Sequence, residues 1–503
     1  MTDWTGGYVT DVSYLAQNYV QQSPHFMGLA CLMMGVATDV VGRAWGHHLE
    51  LGCGRGMSAM VFAAANPEWR VTAVDFMPGS IAEARQLARA AGLDNITFIE
   101  ADLATFAESE EGRAVPMADT VSMHGVWSWV PEAVRHGIIR LLLAKVTAGG
   151  LVHVSYNSLP GMQGSLGLQR VIRETGLVLA QRSDEQAQAG LKVARDLLAT
   201  GAKQLAEQPM VRELLESLAD APSAYVAHEY MNGVWHPCFH NDVADVMAGA
   251  KLDFAGEVNL LANFPSLQLT PEQLAIVERF GDNPRLRQLL MDCCRSHALR
   301  HDVFIRGTRK MSQDEQSARV RDLTIMPMQP ASAFVGELVV PSGNATMNAE
   351  FYGPVMEALD ARPHKIGELL NLPQLAGNSR NPVELLGMLV GSRQAKVLPF
   401  PDAGPVPSAR RMNAVLARST VDPATFNSGN TMVAPRTGGG YPCRGVELFL
   451  VDRINATGGA IDPGVWAAEV ATGASDEQIG ELRGGLIKVM EDRMAIWQQI
   501  GVV

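Results

Sequence analysis

The alternation of short apolar runs with helical segments between residues 45 and 160 restricts the fold of this chain more than any other feature. Runs at 48–51, 70–74, 96–100, 120–124 and 151–156 are typical of buried strands, and residues 57–65, 80–91 and 132–146 repeat apolar side chains at helical spacing. Strands that alternate with helices form parallel sheets with crossover helices. The pattern therefore predicts a doubly wound α/β sheet, preceded by a helical arm that includes residues 26–41.

The rest of the 503 residues follows other patterns. Residues 166–220 have helical periodicity only, residues 311–341 lose it, and residues 350–400 indicate three short helices and a strand, as in a winged-helix unit. An amphipathic helix is predicted around 476–500. We therefore predict four parts: the α/β domain with its arm at 1–165, a mostly helical middle domain at 166–330, a winged-helix-like unit at 331–402 and a C-terminal domain at 403–503.

The composition limits the compartment and the partners of such a chain. It has 53 acidic and 41 basic side chains, a net charge of −12 and no long Lys/Arg run, which argues against nucleic-acid binding. The longest apolar stretch, residues 26–38, is shorter than the ~20 residues of a membrane span, and residues 1–4 have no basic character of the kind that begins a secretory signal. Six cysteines without paired spacing fit reduced thiols. We expect a cytoplasmic protein with no membrane span.

The run LELGCGRG at residues 49–56 follows a predicted strand and opens a predicted helix. Glycines permit φ > 0 and the close approach of a ligand, because they have no Cβ. The spacing is G-x-G-x-G, with Met57 where a dinucleotide-binding loop has its third glycine. Since a pyrophosphate needs an unobstructed helix N-terminus, this form favours a ligand without phosphates.

Acidic residues stand in register at the ends of three successive predicted strands. Glu50 lies just before the loop, where a carboxylate repels a pyrophosphate and attracts an amino group, and Asp75 ends the next strand, where an acid accepts from ribose hydroxyls. Asp102 follows the third strand and is placed to accept from an adenine amino group. A glycine run can be only a tight connection, and acids at strand ends often only cap the next helix. The combination instead predicts a cationic, phosphate-free adenosine ligand, S-adenosylmethionine.

With these features, residues 45–160 are similar to class I S-adenosylmethionine-dependent methyltransferases. Further blocks narrow the resemblance: HGVWSWVP at 124–131, VSYNSLPG at 154–161, HEYMN at 228–232 and WHP at 235–237. Tyr14, Tyr19 and Pro24 form a pattern ahead of the loop. With these blocks the chain resembles bacterial protein-lysine methyltransferases that carry a methyltransferase regulatory domain, whose characterised members modify lysines of outer-membrane proteins.

The resemblance implies a seven-stranded, Rossmann-like sheet, S-adenosylmethionine as cofactor, and methyl transfer to a protein side chain, first of all a lysine amine. The predicted cofactor-binding residues are Glu50, Gly52, Cys53, Gly54, Gly56, Asp75, Phe76, Asp102, Leu103 and His124. The predicted substrate-binding residues are Tyr14, Tyr19, Trp127, Trp129 and Asn157. His124 and Tyr156 are the predicted catalytic residues, and no metal is predicted.

The chemistry of methyl transfer explains why aromatic residues are expected at this site. Ligands of open α/β sheets lie outside the carboxyl ends of the strands, where residues 124–129 and 156–160 should both lie. In-line displacement needs alignment and the exclusion of water, and aromatic faces attract cations and shape a narrow channel. A lysine must first lose its proton, since its free pKa is about 10.4. His124 or the Tyr156 hydroxyl could orient the amine or accept that proton, and one at least of Trp127 and Trp129 is expected in the core.

Other functions stay open from the sequence. The same site could methylate a small molecule or a natural-product peptide at nitrogen, oxygen or sulfur. A third hypothesis is a binding protein that has this fold but no catalytic activity. His236, Cys238 and His240 could ligate a metal, but their spacing matches no usual zinc layout, and a turn at Pro237 before a helix over 242–249 is preferred. The winged-helix-like unit lacks a basic face, so we expect it to contact protein rather than DNA. The oligomeric state is not predicted.

Overall fold

The structure is a computed structural model that describes residues 5–13, 16–376, 381–471 and 473–503. The strands within these residues are β1 (Gly46–Leu51), β2 (Trp69–Asp75), β3 (Ile96–Glu100), β4 (Ala118–Met123), β5 (Val146–Leu159), β6 (Cys238–Phe239), β7 (Leu252–Glu257), β8 (Leu299–Arg306), β9 (Thr324–Pro327), β10 (Glu337–Val340), β11 (Gly343–Thr346), β12 (His364–Lys365), β13 (Ala395–Val397), β14 (Gly429–Ala434) and β15 (Gly439–Arg444). The helices of the first half are α1 (Pro24–Met33), α2 (Met57–Ala65), α3 (Pro78–Ala90), α4 (Glu110–Ala114), α5 (Glu132–Lys145), α6 (Leu166–Leu179), α7 (Ser183–Ala199), α8 (Lys203–Ala206), α9 (Pro209–Ser217), α10 (Ser223–Tyr230) and α11 (His240–Ala248). Those of the second half are α12 (Pro265–Gln268), α13 (Pro271–Glu278), α14 (Pro284–Cys294), α15 (Gln313–Arg321), α16 (Ala349–Ala361), α17 (Ile366–Leu370), α18 (Pro382–Gly391), α19 (Pro407–Ala417), α20 (Gly445–Ala456), α21 (Pro463–Val470) and α22 (Asp476–Gln499).

One large sheet has the strand order β3-β2-β1-β4-β5-β8-β7, and β6 pairs with the end of β5. The strands from β1 to β5 run parallel, whereas β8 is antiparallel to both of its neighbours. Parallel strands joined through helices are buried on both faces, which explains their continuous apolar runs. The predicted α/β sheet of seven ordered strands is confirmed, and helix Met57–Ala65 and strand Ile96–Glu100 lie where the sequence predicts them.

The two faces of the sheet pack against different parts of the chain. The face that we call the arm face is covered by α1, α2 and α3 and carries Glu50, His153 and His301. The other face, the α5 face, is covered by α5 and α11 and carries Tyr156 and Asp302. Because successive residues of a strand point to opposite faces, neighbours in these strands reach different environments.

The large sheet extends across the predicted domain boundary at residue 165. Strands β7 and β8 both lie within the segment that was expected to be a mostly helical middle domain. The helical periodicity over 166–220 is correct, since α6, α7 and α9 pack on one another around Leu191 and Val211. The chain then returns to the sheet, and the pairing of β8 with β5 joins residues that are about 150 positions apart, a contact that no local pattern records.

Two smaller units follow the sheet. Helices α16, α17 and α18 confirm the three helices predicted for the winged-helix-like unit, and β12, β9 and β13 form its antiparallel sheet, which begins at Thr324, before the predicted start at 331. The C-terminal part packs on α2 through α19 and the β14–β15 hairpin, so that one apolar core joins it to the arm face. No helix of the described chain has both the length and the apolar character needed to cross a lipid bilayer.

Candidate active site

The glycine-rich loop joins the carboxyl end of β1 to the first turn of α2. Gly52, Gly54 and Gly56 have φ of +68°, +53° and +70°, a region that other residues rarely adopt. A Cβ on Gly52 would lie 2.3 Å from Val126 Cγ2, and one on Gly56 would lie 2.4 Å from Phe98 Cε1, so packing also requires these two glycines. Nothing lies within 4 Å of a Cβ built on Gly54, so the middle of the loop borders open space. The loop therefore leaves room for a ligand to approach its backbone.

Asp75, at the end of β2, is tied to this loop by hydrogen bonds. Its Oδ2 accepts the Gly54 N–H over 2.7 Å, and its Oδ1 accepts the Met77 N–H over 2.9 Å. Burial raises the pKa of the Asp75 carboxyl, and these backbone hydrogen bonds act in the opposite direction. A carboxylate oxygen accepts at two sites, so each oxygen keeps a lone pair for another donor. Asp75 can therefore accept from ribose hydroxyls while it holds the loop in place.

Phe76, Asp102 and Leu103 lie beside the predicted adenine position. The Ala101 N–H donates to the Asp75 carbonyl oxygen over 2.9 Å, which sets Asp102 next to the end of β2. Asp102 is exposed, Leu103 is buried and Phe76 is half-buried. An apolar surface and a carboxylate are what the faces and the amino group of adenine require.

Glu50 extends from the arm face of β1, just before the loop. Its side chain is 3% exposed, Gln22 hydrogen-bonds to it, and its Oε2 has no hydrogen-bond partner among the described residues. Burial, and then the nearby charge of Asp75, raises the pKa of Glu50 to about 8. A buried carboxylate is costly unless a cation compensates it. The amino group of S-adenosylmethionine would be such a cation, so the unpartnered oxygen fits the predicted cofactor.

His124 marks the acceptor side of the crevice, at the end of β4. Its Nδ1 lies 3.1 Å from Ser155 Oγ, which accepts the Gly125 N–H over 2.8 Å, and the Tyr19 ring lies over the imidazole with 3.9 Å between centroids. Burial, with a contribution from His301, lowers the pKa of His124 to about 3, so the imidazole is neutral at physiological pH. It can orient an amine by hydrogen bonding, but it is too weak a base to hold the proton of an ammonium group.

A pair of tryptophans lines the same edge of the sheet. Trp129 stacks on Trp235 with 6.2 Å between centroids, and the Trp235 Nε1–H donates to Asn157 Oδ1 over 3.0 Å. The Asn157 N–H in turn donates to Ser128 Oγ over 2.8 Å. Trp129 and Asn157, both predicted for the substrate side, are thus brought together through a residue from much later in the chain.

Two predicted site residues have other roles in the structure. Trp127 is 2% exposed and belongs to the core of the α5 face, so it is the tryptophan that was expected in the core. Tyr156 is 1% exposed on the same face, where its hydroxyl donates to Asp302 Oδ2 over 2.5 Å. His124 points to the arm face, so the sheet lies between His124 and the Tyr156 hydroxyl. The structure therefore replaces the predicted catalytic contact of Tyr156 with a structural one, because the sequence shows strand alternation but not which face carries the site.

Some residues of the crevice were missed from the sequence. The Tyr8 ring of the arm lies 5.5 Å from the ring of Phe76, and Trp235, from beyond residue 222, stacks on Trp129. The block WHP contains Trp235, but nothing in a local pattern says that it folds onto this edge of the sheet. Tyr14, predicted to bind substrate, lies outside the described residues.

Residues His236, Cys238 and His240, considered above as possible metal ligands, make other contacts in the structure. Cys238 Sγ donates to the His236 carbonyl oxygen over 3.2 Å, and His240 Nδ1 lies 2.9 Å from Asp302 Oδ2. Helix α11 begins at His240, as the turn-and-helix interpretation expects within two residues. Within the described ranges, no group of three or more His, Cys, Asp or Glu side chains is arranged so that it could hold a metal ion.

Comparison with known families identifies two domains in the chain. Residues 49–150 match a family model described as "Methyltransferase domain", and residues 222–306 match one described as "Predicted methyltransferase regulatory domain". The second range contains α10, α11, β7 and β8. The regulatory domain therefore supplies β7 and β8 of the large sheet, the short strand β6 that pairs with β5, and helix α10, which contacts the arm through His228.

Similar proteins and structures agree with this division. An uncharacterized protein of Synechocystis sp. is 28% identical over 366 residues, which are 73% of this chain and 71% of that protein. An uncharacterized protein of Rickettsia prowazekii is 23% identical over 356 residues, which are 68% of this chain and 60% of that protein. The structure of PKMT2 from Rickettsia typhi in complex with AdoHcy matches with a TM-score of 0.71 over 97% of this chain and 99% of that one, at 16% identity. At this identity the match shows the shared fold.

Proposed function

This chain is an S-adenosylmethionine-dependent methyltransferase with a regulatory domain, and we propose that it transfers the methyl group to a protein side chain, the amine of a lysine. The observation that carries this proposal is the placement of the Tyr19 ring over His124 at the end of β4. Aromatic faces attract a cation and exclude water. An ammonium group held against them is desolvated, which lowers its pKa toward the neutral amine that attacks a methyl group.

The shape of the neighbouring surface supports a polypeptide acceptor. A groove lies between α5 and the regulatory domain, lined by Val130, Arg135, His236 and Asp242, with an empty volume of about 870 Å³ that includes its opening to solvent. These residues adjoin the Trp129–Trp235 pair in sequence, and a peptide in the groove would pass this edge of the crevice. The fold that this chain shares is that of PKMT2 from Rickettsia typhi, whose structure is in complex with AdoHcy.

The residues of the crevice have separate tasks in this proposal. When bound, S-adenosylmethionine supplies a methyl group activated by its sulfonium. Glu50 would hold its amino group and Asp75 its ribose, with the loop backbone at Gly54 close beside them. Neutral His124, held by Ser155, would orient the acceptor nitrogen, and Tyr19 would keep water away from it. Alignment and the exclusion of water are the main contributions that an enzyme makes to such a displacement.

Methyl labelling of a protein mixture tests the proposal. Purified protein is incubated with bacterial lysate protein and S-adenosylmethionine that carries an isotopically labelled methyl group, and peptides are analysed by mass spectrometry. We expect label on lysine side chains. Acetylating the lysate beforehand, which blocks lysine amines, should abolish protein labelling. Label on residues other than lysine, or only in the small-molecule fraction, would contradict the proposal.

A further inference from the structure

Helix α10 of the regulatory domain is held against the arm next to the cofactor crevice. The Gly233 N–H donates to the Gly7 carbonyl oxygen over 2.6 Å, and the Val9 N–H donates to Asn232 Oδ1 over 2.9 Å. These contacts lie on either side of Tyr8 in the arm and directly after α10 in the regulatory domain. One backbone hydrogen bond and one hydrogen bond to the Asn232 side chain therefore fix the end of α10 against the arm.

Tyr8 lies between the cofactor residues and α10. Its ring is 5.5 Å from the ring of Phe76 on one side and 5.5 Å from the imidazole of His228 on the other. Burial raises the pKa of Tyr8, and the charges of Asp75 and Glu229 raise it further. The Tyr8 ring therefore lies between Phe76, beside the cofactor loop, and the part of α10 in which Glu229 follows His228.

The surroundings of Glu229 are aromatic. Tyr225 precedes it by one helical turn and so shares its face of α10. Burial, then the charges of Glu229 and Tyr19, raises the pKa of Tyr225 to about 12, and the charge of Glu229 also raises the pKa of Tyr230. Tyr225 is therefore close to both Glu229 and Tyr19, the ring that lies over His124. Tyrosines connect Glu229 to the acceptor side of the crevice.

Glu229 differs from the acids that stabilise the fold. Glu257 and Asp292 are buried and form ion pairs with Arg295 over 2.7 Å and 2.9 Å. Glu229 is partly buried, yet among the described residues no hydrogen bond or ion pair is formed by its carboxylate. Burial raises its pKa to about 7. A partly buried carboxylate in this environment suits a cation from outside the chain.

We propose that Glu229 binds the ammonium group of the incoming lysine and accepts its proton before methyl transfer, a role that rests on the function proposed above. The regulatory domain would then complete the active site with a catalytic residue in addition to two strands of the sheet. The aromatic rings of Tyr8, Tyr19 and Tyr225 would surround the ammonium group, and their faces would add to its binding.

The proton and electron balance of this step is simple. The carboxylate of Glu229 takes one proton from the lysine ammonium group, which leaves a neutral amine and a neutral carboxyl. The amine nitrogen then forms a bond to the methyl carbon, while the sulfur atom keeps the electron pair of the bond that breaks. The product ammonium carries the charge that the sulfonium has lost, and Glu229 returns its proton to solvent. A carboxyl with a pKa near 7 suits this task, since a general base works best near the operating pH.

The test replaces Glu229 by glutamine, which keeps the shape and removes the charge. The matched control is Glu216→Gln, at an exposed glutamate of α9. Two quantities are measured for each protein: the rate of lysine labelling in bacterial lysate protein at saturating S-adenosylmethionine, and the affinity for S-adenosylhomocysteine by calorimetry. We expect Glu229→Gln to lower the rate about 100-fold or more, the lower end of general-base effects, and to leave the affinity unchanged. Glu216→Gln should change neither, and Glu229→Asp should recover part of the rate.

The pH dependence of the rate separates catalysis from a structural role. At saturating cofactor the wild-type rate should rise as Glu229 ionises, and Glu229→Gln should lose this rise. The other groups that face Glu229 titrate elsewhere, since the pKa values of Tyr8, Tyr225 and Tyr230 are raised and that of His228 is lowered.

Each contrary result has a distinct meaning. Equal labelling rates for Glu229→Gln and wild type would overturn the role of Glu229. A weaker affinity for S-adenosylhomocysteine with an unchanged saturated rate would assign Glu229 to the cofactor and overturn it as well. The wild-type protein reports on the proposed function separately: if it labels no lysine, that function fails, and the role of Glu229 fails with it.

Discussion

The Tyr156 hydroxyl donates a hydrogen bond to Asp302 Oδ2 over 2.5 Å and so joins β5 to β8 on the α5 face. Asp302 also binds His240 Nδ1 at 2.9 Å and the Arg300 guanidinium at 3.0 Å. Arg300 extends this network to Asp292, with 2.7 Å between Nη1 and Oδ1. All five side chains are buried. A strand of the regulatory domain is thus held in the sheet by buried polar groups that satisfy one another.

Replacing Tyr156 by phenylalanine should weaken the fold and spare the chemistry. Asp302 loses a buried donor, which should lower the free energy of unfolding by about 1–3 kcal/mol. The hydroxyl lies across the sheet from His124, so cofactor affinity and methyl transfer should be unchanged below the unfolding temperature. Urea unfolding and calorimetry with S-adenosylhomocysteine measure the two effects. If the Tyr156→Phe protein had wild-type stability but no methyl transfer, the Tyr156 hydroxyl would have a role in catalysis after all.

Arg300→Met tests the buried ion pairs directly. Asp292 and Asp302 would lose their common cation, and breaking a buried pair costs about 3–5 kcal/mol. The matched control is Lys192→Met, which removes an exposed pair with Asp196 and should change the free energy of unfolding by less than about 1 kcal/mol. Urea unfolding compares the two variants. Similar small changes in both would mean that the network adds little to stability.

Asp75→Ala should weaken cofactor binding strongly. The variant removes an acceptor for the ribose and also the acceptor of the Gly54 N–H, which shapes the loop. Hydrogen bonds to charged groups contribute about 1.5–3 kcal/mol, so the Kd for S-adenosylhomocysteine should rise roughly 10- to 150-fold. Asp94→Ala, at an exposed position before β3, is the control and should bind like wild type. An unchanged Kd in Asp75→Ala would remove this residue from the ribose site.

Cofactor affinity should pass through a maximum near pH 8. Burial raises the pKa of Glu50 to about 8, so below this pH the carboxyl holds a proton that must leave before an ammonium group can pair with it. Affinity for S-adenosylhomocysteine should therefore rise from pH 6 to 8, by at most about tenfold per pH unit. Above pH 8 the rise should end, and affinity should fall as the α-amino group of the ligand loses its own charge.

The Glu50→Gln variant separates the rise in cofactor affinity below pH 8 from the fall above it. The variant cannot ionise at this position, so it should bind more weakly at pH 8 and lose the rise between pH 6 and 8. Calorimetry in two buffers of different ionisation enthalpy counts the protons released on binding. A rise in affinity that persists in Glu50→Gln would assign the titration to another group.

The parts of this protein that could be predicted are those that depend on neighbours in the chain. Apolar periodicity located Met57–Ala65 and Ile96–Glu100, since the repeat of a helix or a strand is a local property. The glycine spacing predicted a ligand loop, and the three glycines of that loop do have positive φ. Glu50 and Asp75 follow from their positions at strand ends, because the carboxyl ends of parallel strands meet at one edge of a sheet.

The sequence by itself thus determined the parallel part of the sheet, the glycine loop and the acids beside it. Only the tertiary structure decided that β7 and β8 return to the sheet from the regulatory domain, that Tyr156 and His124 lie on opposite faces, and that the end of α10 is bonded to the arm at Gly7 and Val9. Each of these features depends on contacts between segments that are far apart in the chain. The free energy that stabilises these contacts comes from burial and from hydrogen bonds, which form only when the chain folds. No periodicity within a single segment carries that information.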